Sequence, residues 1–322
     1  MASRIWLTWE IQRRNRTLSK KLDATLYELI SKKKGLARYA ELIVKSYQVL
    51  INEKPRLLFV QNPSLVLALW AVLNRPFFSY RLIVDAHNAG LYPAEGKSAL
   101  LALVASFVIR FADITLVTNA PLALVVINKK GRPFVLPDPL PDLLPDPAPK
   151  HRARTKAALT YVCTWANDEP TRDVMDAARK LGDVLTLYIT GRPPSWANTL
   201  DLPANIVLTG FLSEADYLDL LQSSDALMVL TTRENCLNCG AYEGVALEKP
   251  MILSDTQVIR AYFNTGVVYS QAHRQAIVSA IQTLLADLAG KQQQVSTLKV
   301  NLGADWVLKH QDLEATLAAL SQ

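Results

Sequence analysis

Three cysteines in 322 residues are too few for a disulfide framework and fit a reducing compartment. No stretch approaches the ~20 uninterrupted apolar residues that a membrane-spanning helix needs. The opening MASRIWLTWEIQRRNR meets charge before any apolar run of signal-peptide length, so the expected location is cytoplasmic. The Gly-x-Gly-x-x-Gly fingerprint is missing, which argues against a nicotinamide-dependent dehydrogenase, and no Walker lysine motif occurs. Ligands for a metal are equally sparse. Cys236 and Cys239 have the spacing of a metal or redox pair, but zinc needs a full tetrahedral set, and Cys163 lies on a different predicted strand. Two small residues packing a tight loop is the preferred reading. No Asp-x-Asp motif is present, so neither metal nor cofactor is expected.

Half of the residues are hydrophobic and a fifth are charged, the profile of a folded globular chain rather than a disordered one. The length suits two domains, each with its own core. Charge divides unevenly: residues 1–150 carry +10 and residues 151–322 carry −4. A basic half beside a mildly acidic one points to different partners for each, and basic surfaces attract anionic lipid or nucleic acid.

Short apolar runs of buried-strand length alternate with helical periodicity along the whole chain. Strands are expected at 5–9, 25–30, 56–61, 81–85 and 114–117, with helices at 10–22, 37–52, 65–73 and 99–111. Residues 135–149 hold five Pro–Asp or Asp–Pro junctions, which rules out helix or central strand and marks an interdomain linker. The rhythm resumes with strands at 159–163, 185–190, 206–209, 226–230 and 251–253, and helices at 171–181, 214–223, 276–288 and 313–320. This predicts an α/β protein with domains at 1–148 and 149–322, the last helix packing back on the first domain.

The most informative stretch is 231–255, TTRENCLNCGAYEGVALEKPMILSD. A strand precedes it, a helix opens near Gly240 and includes Ala241, and Pro250 stops that helix before the next strand. Free N–H groups and the positive end of the helix dipole then face the loop, a ready site for phosphate. GAYEGVALEKPMILSD resembles the donor motif of GT-B glycosyltransferases of the family-4, or group 1, type. That resemblance implies two Rossmann-like parallel-sheet domains facing across a cleft, with the second binding a nucleoside-diphosphate sugar. It places Glu243 on the donor ribose; the other reading is a glutamate that caps or salt-bridges an ordinary Rossmann helix. The family's first glutamate falls at Asn235, one residue after Glu234, so either the loop is a residue longer here or an amide contacts the sugar.

The same resemblance extends to loops at predicted strand ends. Thr164 would approach the diphosphate, and the loop TWANDEP resembles that of the mannosyltransferases that begin the lipid-linked oligosaccharide core. Arg192 is either a cation for the diphosphate or a surface arginine after a strand. Phe211 and Leu212 match the position that holds the nucleotide base. In the first half, Asp85-Ala-His87-Asn88 is similar to the Asp-Trp-His-Asn of those mannosyltransferases. His87 is then either a proton acceptor or donor in the site or a loop histidine bonded to backbone, and Asp85 is the candidate base for an inverting enzyme. Glu10 ends a strand where open α/β sheets place ligands, and with Arg13 and Asn88 it is assigned to the acceptor side. Arg14, Arg16, Lys20 and Lys21 crowd the same helix, and a solvated face accounts for the two lysines.

The expected function is transfer of a hexosyl group from a nucleoside-diphosphate sugar to a lipid-linked or polysaccharide acceptor. Lys32–Lys34 and apolar segments at 65–73, 77–78 and 100–108 suggest peripheral docking on an anionic membrane face, with no nucleic-acid partner. The alternatives are a GT-B-like nucleotide-sugar epimerase or hydrolase, and a non-catalytic basic membrane- or nucleic-acid-binding Rossmann protein.

Overall fold

Strands covered on both faces need apolar side chains on both, and the expected strands are rich in Leu, Ile and Val for that reason. The computed structural model describes residues 3–62, 64–143 and 156–321. It divides into two units, Met1–Pro139 with Asp305–Gln322, and Leu140–Ala304. The boundary expected at 148/149 lies outside the described residues.

The first unit runs β1 (Arg4–Thr8), α1 (Arg13–Lys21), β2 (Thr25–Glu28), α2 (Gly35–Glu53), β3 (Leu57–Asn62), α3 (Leu65–Phe78), β4 (Arg81–Ala86), α4 (Asn88–Leu91), α5 (Ala99–Phe111), β5 (Ile114–Val117), α6 (Ala120–Asn128) and β6 (Pro133–Val135). Its strands form one parallel sheet in the order β2-β1-β3-β4-β5-β6. Alternation along the strands assigns each side chain to a face. Leu7, Val60 and Val84 pack with residues of α2, α3, α5 and α6. Trp6, Phe59 and Ile83 point the other way, toward α1, and Trp6 stacks on Phe59 at 5.3 Å in the β1–β3 register. Side chains of Ser64, Ser98 and Asn119 accept from Leu67, Leu101 and Leu122 N–H, capping α3, α5 and α6.

The second unit runs β7 (Ala157–Tyr161), α7 (Thr171–Leu181), β8 (Leu185–Thr190), α8 (Ser195–Asn198), β9 (Ile206–Gly210), α9 (Glu214–Ser223), β10 (Ala226–Val229), α10 (Cys239–Ala246), β11 (Met251–Ser254), α11 (Gln257–Tyr262), β12 (Val267–Ser270), α12 (Arg274–Ala286) and α13 (Leu288–Leu320). The sheet is again parallel, ordered β12-β11-β10-β7-β8-β9. One face packs on α7 and α12; α9, α10, α11 and, from α13, Leu298 and Leu302 cover the other.

Three differences from the sequence reading have physical causes. No element is expected over 118–134, yet α6 and the edge strand β6 form there. Pro133 is tolerated because an edge strand leaves one side of its backbone unpaired. Likewise α11 and β12 go unassigned, each being too short for its periodicity to stand out. The expected terminal helix at 313–320 is the end of the 33-residue α13. Leu298 and Leu302 of this helix pack in the second unit. Its residues from Asp305 belong to the first, where Trp306, Leu313 and Leu317 join the α1 face and Glu314 pairs bidentately with Arg4 at 2.7 Å.

Candidate functional site

Both sheets present loops at the carboxyl ends of their central strands, where open parallel sheets bind ligands. In the second unit, β10 leads through residues 230–238 into α10. Gly240 is buried in the first turn, and a Cβ there would lie 2.9 Å from the Val162 side chain and 3.2 Å from Val229. The absence of a side chain therefore lets the helix start close against the sheet, with its first N–H groups toward the loop. Ala241 is buried beside it. Glu243 is 5% exposed, and the Tyr217 hydroxyl on α9 donates to it at 2.6 Å. Asn235 has φ +57°, a left-handed conformation that asparagine tolerates better than most side chains. Glu234, its neighbour, is exposed.

The 164–170 loop is tied to this segment through Asp168. Its carboxylate accepts from the Thr231 hydroxyl at 2.7 Å and pairs with Arg233 at 3.3 Å, and its carbonyl accepts from Thr232 N–H at 2.7 Å. Glu169 holds the loop from inside. Its carboxylate accepts from Thr164 N–H, the Thr164 hydroxyl and Ala166 N–H at 2.8–3.1 Å. Thr164, expected to approach the diphosphate, thus has both its N–H and its hydroxyl directed at a carboxylate of the same chain. Burial pushes the Cys163 thiol up to about 12. Gly191 has φ +83°, and any Cβ there would collide with the Cys163 carbonyl, so the β8 loop passes under the 164–170 loop only as glycine. Next to it, Arg192 is exposed and forms no ion pair among the described residues. Phe211 is 81% exposed after Gly210, and Leu212 is half-buried.

The first unit builds a polar cluster from the ends of β1, β3 and β4. Gln61 accepts from the Thr8 hydroxyl at 3.0 Å and from the Asn15 amide at 2.8 Å. Asp85 is 1% exposed and receives Arg14 in a fork, Nε at 3.0 Å to both oxygens and Nη2 at 2.8 Å. The third Arg14 nitrogen, Nη1, reaches Asp138 at 2.6 Å. Burial opposes charge on Asp85, but the Arg14 guanidinium and the His87 contact override it and hold the carboxyl well below its ordinary range. Arg14 is raised: burial works against its charge, and the two aspartates outweigh that. A carboxylate so engaged is a poor proton acceptor. Asp85, expected as a base, is instead placed to position His87, whose Nε2 lies 3.4 Å from Asp85 Oδ2 and 3.3 Å from the Gln61 amide. His87 and Asn88 are half-buried at the start of α4, and Glu10 accepts from the Gln12 side chain at 3.3 Å. Arg13 is exposed.

Arg14, Gln61, Tyr217, Glu169 and Arg233 were not singled out from sequence. The available signal for Gln61 was a polar residue ending an apolar strand. Arg14 offered none, because its helix is basic throughout. Among the described residues no group of three or more His, Cys, Asp or Glu side chains could hold a metal ion.

No curated protein matches this sequence. Residues 157–287 match the family model described as Glycosyl transferases group 1. HepE of Anabaena, solved in complex with UDP, is similar over 98% of this chain and 100% of its own, at 14% identity and a TM-score of 0.75. Sucrose-phosphate synthase from Thermosynechococcus elongatus covers 92% of this chain and 83% of its own, at 14% identity and 0.74. The S. aureus MnaA–UDP structure covers 92% of each, at 13% identity and 0.63. At such identities the likeness is one of fold, and it joins the two parallel sheets to the GT-B proteins. Residues 157–287 thus match the glycosyl transferases group 1 model, on a chain with the GT-B fold.

Proposed function

We propose that this protein is a glycosyltransferase that moves a hexosyl group from a nucleoside-diphosphate sugar to a lipid-linked or polysaccharide acceptor at the cytoplasmic face of a membrane. The second unit takes the donor and the first unit the acceptor, with no metal cofactor. The observation that carries this reading is buried Glu243 in the opening turns of α10, inside the matched domain and oriented by Tyr217. A carboxylate fixed there accepts from both ribose hydroxyls, while the α10 N-terminus and Arg192 stabilise the diphosphate as it leaves. Asn235 faces the sugar, Phe211 and Leu212 flank the base, and Thr164 reaches the diphosphate only if Glu169 gives up its bonds. His87 serves the acceptor hydroxyl, with Asn88, Glu10 and Arg13 around it. HepE and MnaA were solved with UDP, which makes UDP the first nucleotide to test.

Glu243→Ala should weaken UDP binding about ten- to hundredfold, the cost of about 1.5–3 kcal/mol for losing charged hydrogen bonds. Calorimetry on the folded variant measures it, and unchanged affinity would remove Glu243 from the site. A second test uses the exposed Cys239 that opens α10. Saturating UDP should slow its alkylation by iodoacetamide about fivefold or more, read by mass spectrometry, while buried Cys163 stays unlabelled until the protein unfolds. Equal rates with and without UDP would place the nucleotide elsewhere.

A further inference from the structure

We infer that the outer face of α3 and α5 is a membrane-docking surface that inserts into an anionic bilayer. Both helices lie on the same side of the first sheet and pack side by side, burying Ala68 and Ala71 from one and Val108 and Ile109 from the other. Their opposite faces should be polar if water covered them. Instead α3 exposes Leu73 and Phe77, and α5 exposes Leu100, Leu103, Phe107 and Phe111. Phe77 is 79% exposed, Leu100 71% and Leu103 69%. The α5 residues recur at helical spacing, so they form one stripe, and the adjoining α3 pair widens it into a patch larger than scattered surface hydrophobics make.

Charge selects the occupant. Neither helix contains an acidic residue. Cations gather where the two helices end: Arg75 and Arg110 on the helices and Arg81 just beyond α3. Arg75 and Arg81 both contact Asp113 and line a pocket with Phe111 and Tyr80, so two guanidinium groups face a single carboxylate there. The Arg110 guanidinium lies 5.9 Å from the centre of the Phe111 ring. An apolar stripe with aromatic members, bordered by arginines, is complementary to acyl chains beneath phosphate headgroups. A second copy of the chain would meet arginine with arginine at this border. Among the described residues no helix is long and apolar enough to cross a membrane, so contact of this kind is peripheral.

The location differs from the one suggested by the basic run. Lys32, Lys33 and Lys34 are exposed, but they precede α2 at the carboxyl edge of the sheet, whereas α3 and α5 end at its amino edge. The inference rests on the proposed function only for its purpose, delivery of the enzyme to a lipid-linked acceptor; the surface itself is tested without substrate.

Flotation of the full chain with vesicles of phosphatidylcholine, alone or with phosphatidylglycerol, decides it. Binding should require the anionic lipid and weaken with salt. The double variant Leu103→Gln/Phe107→Gln changes exposed side chains only; it should keep the wild-type melting temperature and lose about tenfold or more in vesicle partitioning. Changing Lys32, Lys33 and Lys34 to glutamate should alter partitioning by less than about threefold, since the run lies off the patch. Wild-type binding by the double variant, or loss of binding only in the lysine variant, overturns the inference. So does a wild-type protein that ignores anionic vesicles but sediments as a dimer that the double variant dissociates. UDP calorimetry on the same variants keeps the two readings apart, because a failed docking test with intact UDP binding leaves the glycosyltransferase assignment standing.

Discussion

His87→Ala should lower turnover, read as UDP release from a nucleotide sugar at saturation, by about two orders of magnitude or more, with UDP affinity unchanged within about twofold. The split follows from its position. His87 directly follows β4 in the first unit, whereas every donor contact proposed here belongs to the second. Its imidazole is half-buried and held from one side by Asp85 and Gln61. A ring held in this way loses little freedom when an acceptor hydroxyl arrives, which is what makes a positioned acid or base effective. Collapse of UDP affinity with turnover intact would move His87 to the donor site.

Arg14→Ala should destabilise the protein by about 3–5 kcal/mol, because it strands the Asp85 carboxylate in the core without its counter-charge. Chemical denaturation measures the loss, and a change below about 1 kcal/mol would mean that Asp85 is solvated or protonated in the folded state. Replacing both partners, Arg14→Met with Asp85→Leu, should recover most of the stability, since a buried pair is often no better than apolar residues of similar volume. Turnover should not recover, because His87 has lost its positioning group. The pair also predicts a pH dependence. The Asp85 carboxyl titrates lower when folded than its unfolded value of about 3.9, so its contribution is complete above about pH 4 and is lost as the pH falls toward the folded value. The double variant should lack that part of the acid sensitivity.

The boundaries of the central strands were legible because a strand buried on both faces is apolar at nearly every position. The runs at 5–9, 81–85, 226–230 and 251–253 leave little choice. The α10 segment was legible for a local reason as well: glycine where the helix meets the sheet, small residues along it and proline after it are consecutive in the chain. The course of α13 was less so. Its apolar stripe is thin and interrupted by polar residues such as Gln292–Gln294, and its buried side chains serve two different units in succession.

Sequence alone determined the α/β alternation, the parallel-sheet class and the place of Gly240 and Glu243, because each depends on residues within a few positions of one another. Tertiary structure alone decided the state of the charged groups. Arg14 reads as one more cation on a solvated helix until Asp85 and Asp138, 71 and 124 residues away, are brought to it. Asp85 reads as a free base until that guanidinium closes on it. Exposure was settled at the same level: α3 and α5 are apolar around most of their circumference, and periodicity cannot say which side the sheet takes. A charge or an apolar face acquires its role from what stands opposite, and distance in space is not written into spacing along the chain.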